Sequence, residues 1–329
     1  MQGVFVEKTL DHGPTLRKSC LALREKGVND FASHNYTRTG QRMQRDLIPS
    51  RLSVMPSTLS EPEDTREILS ATSHRPWPLP NAQWIMTQRW NDLLFAHWPV
   101  PPAQIAPLLP ANLTLDTFDG AAWVGIVPFW MDQIRMHRWP EIPGANRFPE
   151  LNLRTYVREA HSNLAGVYFF SLDAANPLAV AGARLFFKLP YYWSKMRIEH
   201  CDNREFCYSS QRRFAKAPAR FRARYRSLGQ ASDKQDLEQF LTERYALYTA
   251  DKGGALFKGN IHHLPWPLER AEAEFEVNEL PGAHGITLPD TPPLLHYSRE
   301  LVVYIWAIEP LPLAKLKPTA TPVPVVKPT

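Results

Sequence analysis

The sequence predicts a mostly β fold of the α+β class, with a few helices at its periphery. Short apolar segments with strand-like alternation recur from about Trp84 to Glu309, and turn residues separate them. Tryptophan occurs 10 times and proline 31 times, which is typical of many short strands joined by rigid turns. Apolar residues make up 44% of the chain, which is ample for a sizeable core.

We expect one ordered domain over residues 76–309. Residues 1–75 are rich in Arg, Ser, Thr and Asp and lack a periodic apolar pattern, so we expect a disordered or weakly ordered leader. A regulatory or targeting arm, and a start codon placed upstream of a true start at Met55, are the alternatives for this segment. Residues 310–329 are rich in proline, which predicts a disordered tail.

The stretch from Arg147 to Tyr192 is interpreted as three consecutive strands, on which we expect the rest of the chain to pack. In the first, residues 152–159, alternation places polar side chains on one face, namely Asn152, Arg154, Tyr156 and Arg158. A polar face of this kind suits either water or the interior of a barrel that holds a polar ligand.

The second segment of this stretch, residues 166–172, is apolar on both faces, which predicts a strand covered on both sides. A turn over residues 173–177 is expected to lead into the third strand, residues 183–189, whose one face carries Arg184 and Lys188. Further along the chain, residues 232–249 predict the clearest helix, with a capping box formed by Ser232 and Gln235. The pair Asp119-Gly120 predicts a hairpin between residues 113–118 and 121–130.

Charge and cysteine content limit the compartment and the partners. The formal net charge is +5, too small by itself to imply nucleic acid. The three cysteines are sparse and odd in number, which argues against a disulfide framework and for a reducing compartment. No apolar run is long enough to cross a bilayer, and the N-terminus lacks the apolar core of a signal peptide. We therefore expect a cytoplasmic protein without a membrane partner, whose oligomeric state stays open.

Motifs for several common enzyme classes are absent from the sequence, and we expect neither a cofactor nor a metal. There is no phosphate-binding Gly-rich loop and no His-Glu-x-x-His motif. His262 and His263 are adjacent, so on a strand they point to opposite faces and do not easily bind one metal. Glu159, His161 and Ser162 lie close together, but no Gly-x-Ser-x-Gly elbow supports a hydrolase, so we interpret them as loop polarity.

Alternating arginines from Arg220 to Arg226 suggest a possible nucleic-acid surface. The aromatic residues of the same segment, Phe221 and Tyr225, fall on the opposite face, whereas a nucleic-acid platform needs charge and rings on one surface. We therefore favour an edge strand whose charged face lies in water and resists aggregation. Nucleic acid is expected to be an improbable partner.

The polar face of the first central strand is the better candidate for a site. Arg154 and Arg158 can hold a carboxylate through paired hydrogen bonds, and Tyr156 can add a hydroxyl. Lys188 lies beside Phe186 on its predicted strand, and a lysine among aromatic residues can have a lowered pKa and act as an amine nucleophile. The alternative for Lys188 is a residue at the strand end that extends into water.

Several short motifs in order resemble the uncharacterised YqjF-like bacterial family, over about Trp77 to Glu309: DLLFAHWP, LDTFDG, WVGIVPF, FPELNLRTYV, GVYFFSLDA, FLTERYALYT and IHHLPWPL. That family is in turn similar to acetoacetate decarboxylases. The resemblance implies a mostly antiparallel, cone-shaped β-barrel with an interior pocket and a few outer helices.

Acetoacetate decarboxylases carry Gly-Gly-Arg, followed after a short spacer by Pro-Lys-Lys, whose first lysine forms a Schiff base with the keto acid. Here residues 182–184 resemble the first part and Pro190 the proline, but Tyr191 and Tyr192 replace the two lysines. Tyrosine cannot form an imine. The resemblance therefore transfers the fold and the pocket, and it does not transfer decarboxylation.

Three hypotheses follow for the function, and whether the protein is an enzyme is left open. In the first, the protein binds a small carboxylate or carbonyl compound without decarboxylating it, through Asn152, Arg154, Tyr156 and Arg184. In the second, it is a lyase-like enzyme acting on a keto acid, with Lys188 as amine or Tyr191 as acid-base group. In the third, it associates with nucleic acid through residues 220–226.

Overall fold

Thirteen strands form one sheet in the part of the chain that the structure, a computed structural model, describes: residues 63–139, 144, 146–201, 205–214, 217 and 219–312. The strands are β1 Met86–Val100, β2 Leu113–Leu115, β3 Ala122–Met136, β4 Phe148–Glu159, β5 Ala165–Ala174, β6 Tyr191–His200, β7 Phe206–Arg212, β8 Arg220–Ala231, β9 Ala246–Ala250, β10 Leu256–His262, β11 Glu269–Asn278, β12 Leu294–Ile305 and β13 Glu309–Pro310. The helices are α1 Glu63–Ser70, α2 Pro102–Ile105, α3 Pro177–Phe186 and α4 Asp236–Thr242. The fold is therefore mostly β with few helices, as predicted.

The strand pairings return to their starting point. From β5 they run through β6, β7, β8, β11, β12, β1, β3 and β4 and back to β5, and we call this closed series the strand circuit. All of its pairs are antiparallel except β5–β6, and β9 also pairs with β5 in the parallel sense. The sheet is therefore mostly antiparallel, as expected, with parallel pairing of β5 to β6 and to β9.

One apolar core takes side chains from every strand of the circuit. Examples are Leu94 of β1, Val124 of β3, Leu153 of β4, Phe170 of β5, Ile198 of β6, Tyr208 of β7, Ala223 of β8, Phe275 of β11 and Tyr297 of β12. Because side chains alternate along a strand, Asn152, Arg154 and Tyr156 lie on the other face of β4. On that face, Tyr156 packs in a second core with Leu241 and with Leu237 and Phe240 of α4.

The third central segment is a helix, so the predicted strand over residues 183–189 is wrong. The side chain of Asn176 accepts hydrogen bonds from the amides of Leu178 and Ala179, and Pro177 occupies the first helical position of α3. The predicted turn over residues 173–177 thus contains the end of β5 and the start of α3. The helix turns Val180 inward and leaves Leu178, Leu185 and Phe186 exposed.

The helix predicted over residues 232–249 is much shorter than expected. Helix α4 covers Asp236–Thr242, and Gln235 with Glu238 forms the capping box, in place of Ser232 with Gln235. Residues from Ala246 onward form β9, which pairs with both β5 and β10. Hydrogen bonding on both edges of this segment outweighs the helical period of its apolar residues.

Two further sequence predictions are corrected by the pairing. Asp119 and Gly120 do form a turn with positive φ, but only the bridge between Phe118 and Ala121 joins its arms, and β2 pairs with β4 instead. The arginine segment is not an edge strand, because β8 pairs with β7 and with β11. Its alternation is confirmed, since Phe221, Ala223 and Tyr225 are buried while the arginines face outward.

The described residues belong to one compact part of the chain. Every described residue falls in one compact unit, Leu59–Thr329. Helix α1 and the buried Arg75 lie within the segment 1–75 that we expected to be a leader. Residues 1–62 of that segment, and most of the expected tail, are outside the described residues.

Although no disulfide framework was expected, Cys201 and Cys207 form one disulfide where β6 and β7 meet. None of the described helices has the length and apolarity needed to cross a membrane.

Candidate functional site on the polar face of β4

Polar side chains follow one another along one face of β4. Glu150, Asn152, Arg154 and Tyr156 alternate with the core residues Leu151, Leu153 and Thr155, and all of the former are buried or half-buried. We call these four residues the polar row. Burial of consecutive polar groups is costly unless each finds a partner, so their contacts define what this face can do.

The Tyr156 hydroxyl connects the polar row to α4 and to β1 through hydrogen bonds. Its hydroxyl donates to the Leu241 carbonyl at 2.8 Å and lies 2.7 Å from Nε2 of His97. The guanidinium of Arg154 donates to the same carbonyl at 3.3 Å. The last carbonyls of a helix lack intrahelical partners, and here Tyr156 and Arg154 supply them.

Gly125 of β3 lies between His97 and Arg154 in the register of the sheet. A Cβ atom at this position would lie 3.0 Å from the imidazole of His97 and 3.3 Å from Cγ of Arg154. The absence of a side chain therefore leaves room for both groups. Burial, and then the charge of Arg154, lower the pKa of His97 well below its usual range, so the ring is neutral at pH 7.

Several buried polar atoms around the row have no hydrogen-bond partner within the described residues. They include Nε of Arg154, Oδ1 of Asn152, Nδ1 of His97, Nε1 of Trp123 and Nδ1 of His296. Arg154 also has no carboxylate within ion-pair distance in this part of the chain, although its guanidinium lies 5.4 Å from the centre of the Phe95 ring. An inward cation without an acidic partner, beside unpaired donors and acceptors, is an arrangement that can receive an anionic or polar ligand.

Glu150 and Tyr191 form the other end of the row. The Tyr191 hydroxyl donates to Oε2 of Glu150 at 2.7 Å. Burial raises the pKa of Glu150 to about 8, although the hydrogen bond from Tyr191 opposes this shift. Burial, together with the charge of Glu150, raises the pKa of Tyr191 well above its usual range. At neutral pH this pair is therefore a buried carboxylic acid beside a neutral phenol.

Arg184 and Lys188 lie away from the row, and neither is on a strand. Arg184 is exposed in the last turn of α3 and donates from Nε to the Tyr191 carbonyl at 2.8 Å. Lys188 follows the helix with a φ of 54°, and its ammonium donates to the Leu185 carbonyl at 2.9 Å. The structure thus brings Asn152, Arg154, Tyr156 and Tyr191 to one face and separates the other two predicted residues from it.

Local hydrogen bonds hold the histidine pair and the loop that follows Glu159. Nε2 of His262 lies 2.7 Å from the Ile68 carbonyl, and Nδ1 of His263 lies 2.7 Å from the Leu264 carbonyl. Burial alone would raise the pKa of Glu159, but hydrogen bonds from Ser162 and His161 lower it to about 2. Among the described residues, no three His, Cys, Asp or Glu side chains are grouped as a metal site.

The sequence interpretation missed Glu150 and His97. Glu150 was detectable, because it continues the two-residue period of Asn152, Arg154 and Tyr156 by one more step. His97 carries no such signal, since its role comes from the register that places β1 beside β3. Two cavities lie elsewhere: one of about 260 Å³ beside β5, and one of about 380 Å³ lined by residues such as Trp84, His137 and Trp139.

The fold and the polar row together define a mostly β protein with an inward arginine at a buried polar face. Residues 87–302 match the DUF2071 family, which is described as an uncharacterized conserved protein. The uncharacterized protein YqjF of Bacillus subtilis (strain 168) is 47% identical over 232 residues, which are 70% of this chain and 94% of that protein. The chain therefore belongs to the DUF2071 family, and the resemblance to YqjF is confirmed.

Solved structures that are similar to this chain have little sequence in common with it. The enduracididine biosynthesis enzyme MppR complexed with pyruvate aligns with a TM-score of 0.50 and 9% identity, over 70% of this chain and 91% of that one. An acetoacetate decarboxylase-like enzyme from Sphingomonas wittichii RW1 aligns with a TM-score of 0.49 and 14% identity, over 70% of this chain and 94% of that one. The likeness to MppR shows the fold alone.

Proposed function

We propose that this protein binds a small carboxylate or carbonyl compound at the polar row, and that it does not decarboxylate it. In this proposal the strand circuit closes as the cone-shaped β-barrel implied by the family resemblance, and the ligand lies against the polar row, on the face of β4 that packs against α4. The observation that carries the proposal is Arg154, a half-buried cation without an acidic partner among the described residues. A ligand carboxylate would supply the missing charge and accept from its unpaired Nε.

The neighbours of Arg154 fit such a ligand. Neutral His97 lies beside Arg154 without adding a competing charge, and its Nε2 lies 2.7 Å from the Tyr156 hydroxyl. The unpaired Oδ1 of Asn152 can accept from a ligand hydroxyl. The complex of MppR with pyruvate supports this choice of compound, because pyruvate has both a carboxylate and a ketone.

The absence of decarboxylation follows from the residues at the positions of the lysine pair. Tyr191 is engaged with Glu150, and Tyr192 lies under the guanidinium of Arg212 at 3.7 Å. Neither side chain has an amine, and the ammonium of Lys188 is directed back to the Leu185 carbonyl. None of these three residues therefore presents a free amine at this face that could form an imine with a ligand.

Pyruvate binding, measured by titration calorimetry, tests the proposal with a matched pair of variants. Arg154→Met should weaken pyruvate binding by about tenfold or more, because a charge-assisted hydrogen bond is lost from a half-buried site. Arg184→Met removes an exposed arginine of α3 and should leave the affinity unchanged. Equal losses in both variants, or no binding to the wild-type protein up to high millimolar pyruvate, would exclude the polar row as the site.

Borohydride trapping tests the lyase alternative. With pyruvate or acetoacetate present, mass spectrometry should find no substrate-dependent adduct on Lys188, and acetoacetate should release no carbon dioxide. A specific adduct on Lys188 would instead establish an imine-forming enzyme. Nucleic-acid binding is not proposed, because Arg220, Arg222, Arg224 and Arg226 each form an ion pair with a glutamate.

A further inference from the structure

The cavity of about 260 Å³ lies where β6 and β9 separate along the same edge of β5. Strand β9 pairs with β5 at Val167 and Tyr168, whereas β6 pairs with it only from Leu172 onward. The intervening edge has neither partner, and this gap in the sheet opens between Pro190, before β6, and Ala250, at the end of β9.

Aromatic rings and polar atoms both line this cavity. The rings of Tyr168 and Phe170 meet edge to face at 5.6 Å, and the ring of His284 lies 6.3 Å from that of Phe170. Thr249 also lines the cavity, but its hydroxyl donates to the Lys188 carbonyl at 2.7 Å, so its hydrogen is already used. The rings favour a flat body in the cavity, and the polar atoms favour one that has a polar group.

His284 is a polar residue of the cavity, and its contact with Arg212 favours one tautomer of the ring. Nη1 of Arg212 lies 3.5 Å from Nε2 of His284. A guanidinium has only donors, so Nε2 accepts, and the ring hydrogen is on Nδ1. Arg212 is itself held by two hydrogen bonds of 2.8 Å to the buried carboxylate of Asp173, which fixes the donor in place.

The ring of His284 is neutral over the physiological range. Burial, and then the charge of Arg212, lower the pKa of His284 to about 4, against an opposing effect of Asp173. Within the described residues, Nδ1 of His284 has no hydrogen-bond partner. The cavity therefore has a neutral N–H donor on a ring that lines it, without a free charge.

We propose that this cavity is a second binding site, which takes a small flat aromatic molecule with one acceptor oxygen, and that Nδ1–H of His284 donates to that oxygen. The volume lies below the range of about 300–1,000 Å³ that holds drug-sized ligands, so the ligand is the size of a single substituted ring. This site is independent of Arg154, and its ligand needs no negative charge.

Acetophenone and ethylbenzene are the probes, since both have one ring with a two-carbon substituent and only acetophenone has an acceptor oxygen. The wild-type protein should bind acetophenone about tenfold more tightly than ethylbenzene, because ethylbenzene leaves the Nδ1–H donor unpaired. His284→Phe keeps a ring at this position and should remove the difference between the two probes. Equal binding of the probes by the wild-type protein, or binding of neither, would overturn the proposal.

A variant that fills the cavity locates the binding. Ala250→Leu should abolish the binding of both probes, while the control Ala231→Leu, on the exposed end of β8, should retain it. Retention of binding by Ala250→Leu would place the probes elsewhere and refute the assignment. If His284→Phe does not fold, ¹⁵N-histidine NMR of the wild-type protein decides, since acetophenone and not ethylbenzene must shift Nδ1 of His284. Arg154→Met should bind both probes normally, which separates this site from the polar row.

Discussion

Glu150 has a charge state set by burial, and this has a consequence for stability. Its pKa in the folded protein is about 8, raised by burial above the usual 4.5. The folded state therefore holds a proton that the unfolded state loses, so the free energy of unfolding falls as the pH rises from about 4.5 to about 8. Glu150→Gln should remove this decline and be more stable than the wild-type protein at pH 8.5 by on the order of a few kcal/mol.

Urea unfolding at pH 5 and pH 8.5 measures this effect, and Glu159→Gln is its control. The pKa of Glu159 is lowered to about 2, so this carboxyl is ionised in the folded state throughout the window. Glu159→Gln should lower stability by a similar amount at both pH values, since hydrogen bonds from Ser162 and His161 are weakened. If Glu150→Gln showed the same pH dependence as the wild-type protein, Glu150 would be ionised in the fold.

At the scale of elements, two glycines test the parallel contact of β5 with β9. A Cβ atom at Gly166 of β5 would lie 2.6 Å from the Ala246 carbonyl oxygen and 2.6 Å from the ring of Tyr248. A backbone carbonyl within a sheet cannot move far enough to relieve so short a contact, so Gly166→Ala should destabilise the protein by about 2 kcal/mol or more. At Gly182 of α3 a Cβ meets nothing within 4 Å, and Gly182→Ala should stabilise by about 0.5–1 kcal/mol.

The same unfolding measurement in urea compares the two alanine variants. Opposite signs are expected although the chemical change is identical, because one glycine permits a close approach and the other only adds backbone freedom to a helix. A neutral Gly166→Ala would mean that β9 does not lie against β5 at this position.

The two errors of prediction at this scale have different causes. Residues 183–189 alternate as a strand would, but the pair Asn176-Pro177 is also a helix start signal, and our prediction assigns it to a turn. The long helix over residues 232–249 failed for a different reason. Its second half becomes β9 because hydrogen bonds to β5 and β10 become available only in the folded sheet.

For the whole molecule, the strand circuit predicts where the backbone opens last. Strand β1 is hydrogen-bonded on both edges, to β12 and β3, whereas among the described residues β2 pairs only with β4 and β13 only with β10. Hydrogen exchange measured by mass spectrometry should be slowest in β1 and β3 and much faster in β2 and β13. Comparable rates in β1 and β2 would contradict closure of the circuit through β1.

The sequence by itself determined the class of the fold, the family, and the alternation that puts Asn152, Arg154 and Tyr156 on one face of a strand. These features depend on local periodicity and on motifs in order, which are present in the chain before it folds. Only the tertiary structure decided that Arg154 meets His97 across Gly125, that Glu150 is buried beside Tyr191, and that Arg184 and Lys188 lie elsewhere. Register between distant strands and desolvation depend on residues far apart in sequence, so no local pattern encodes them.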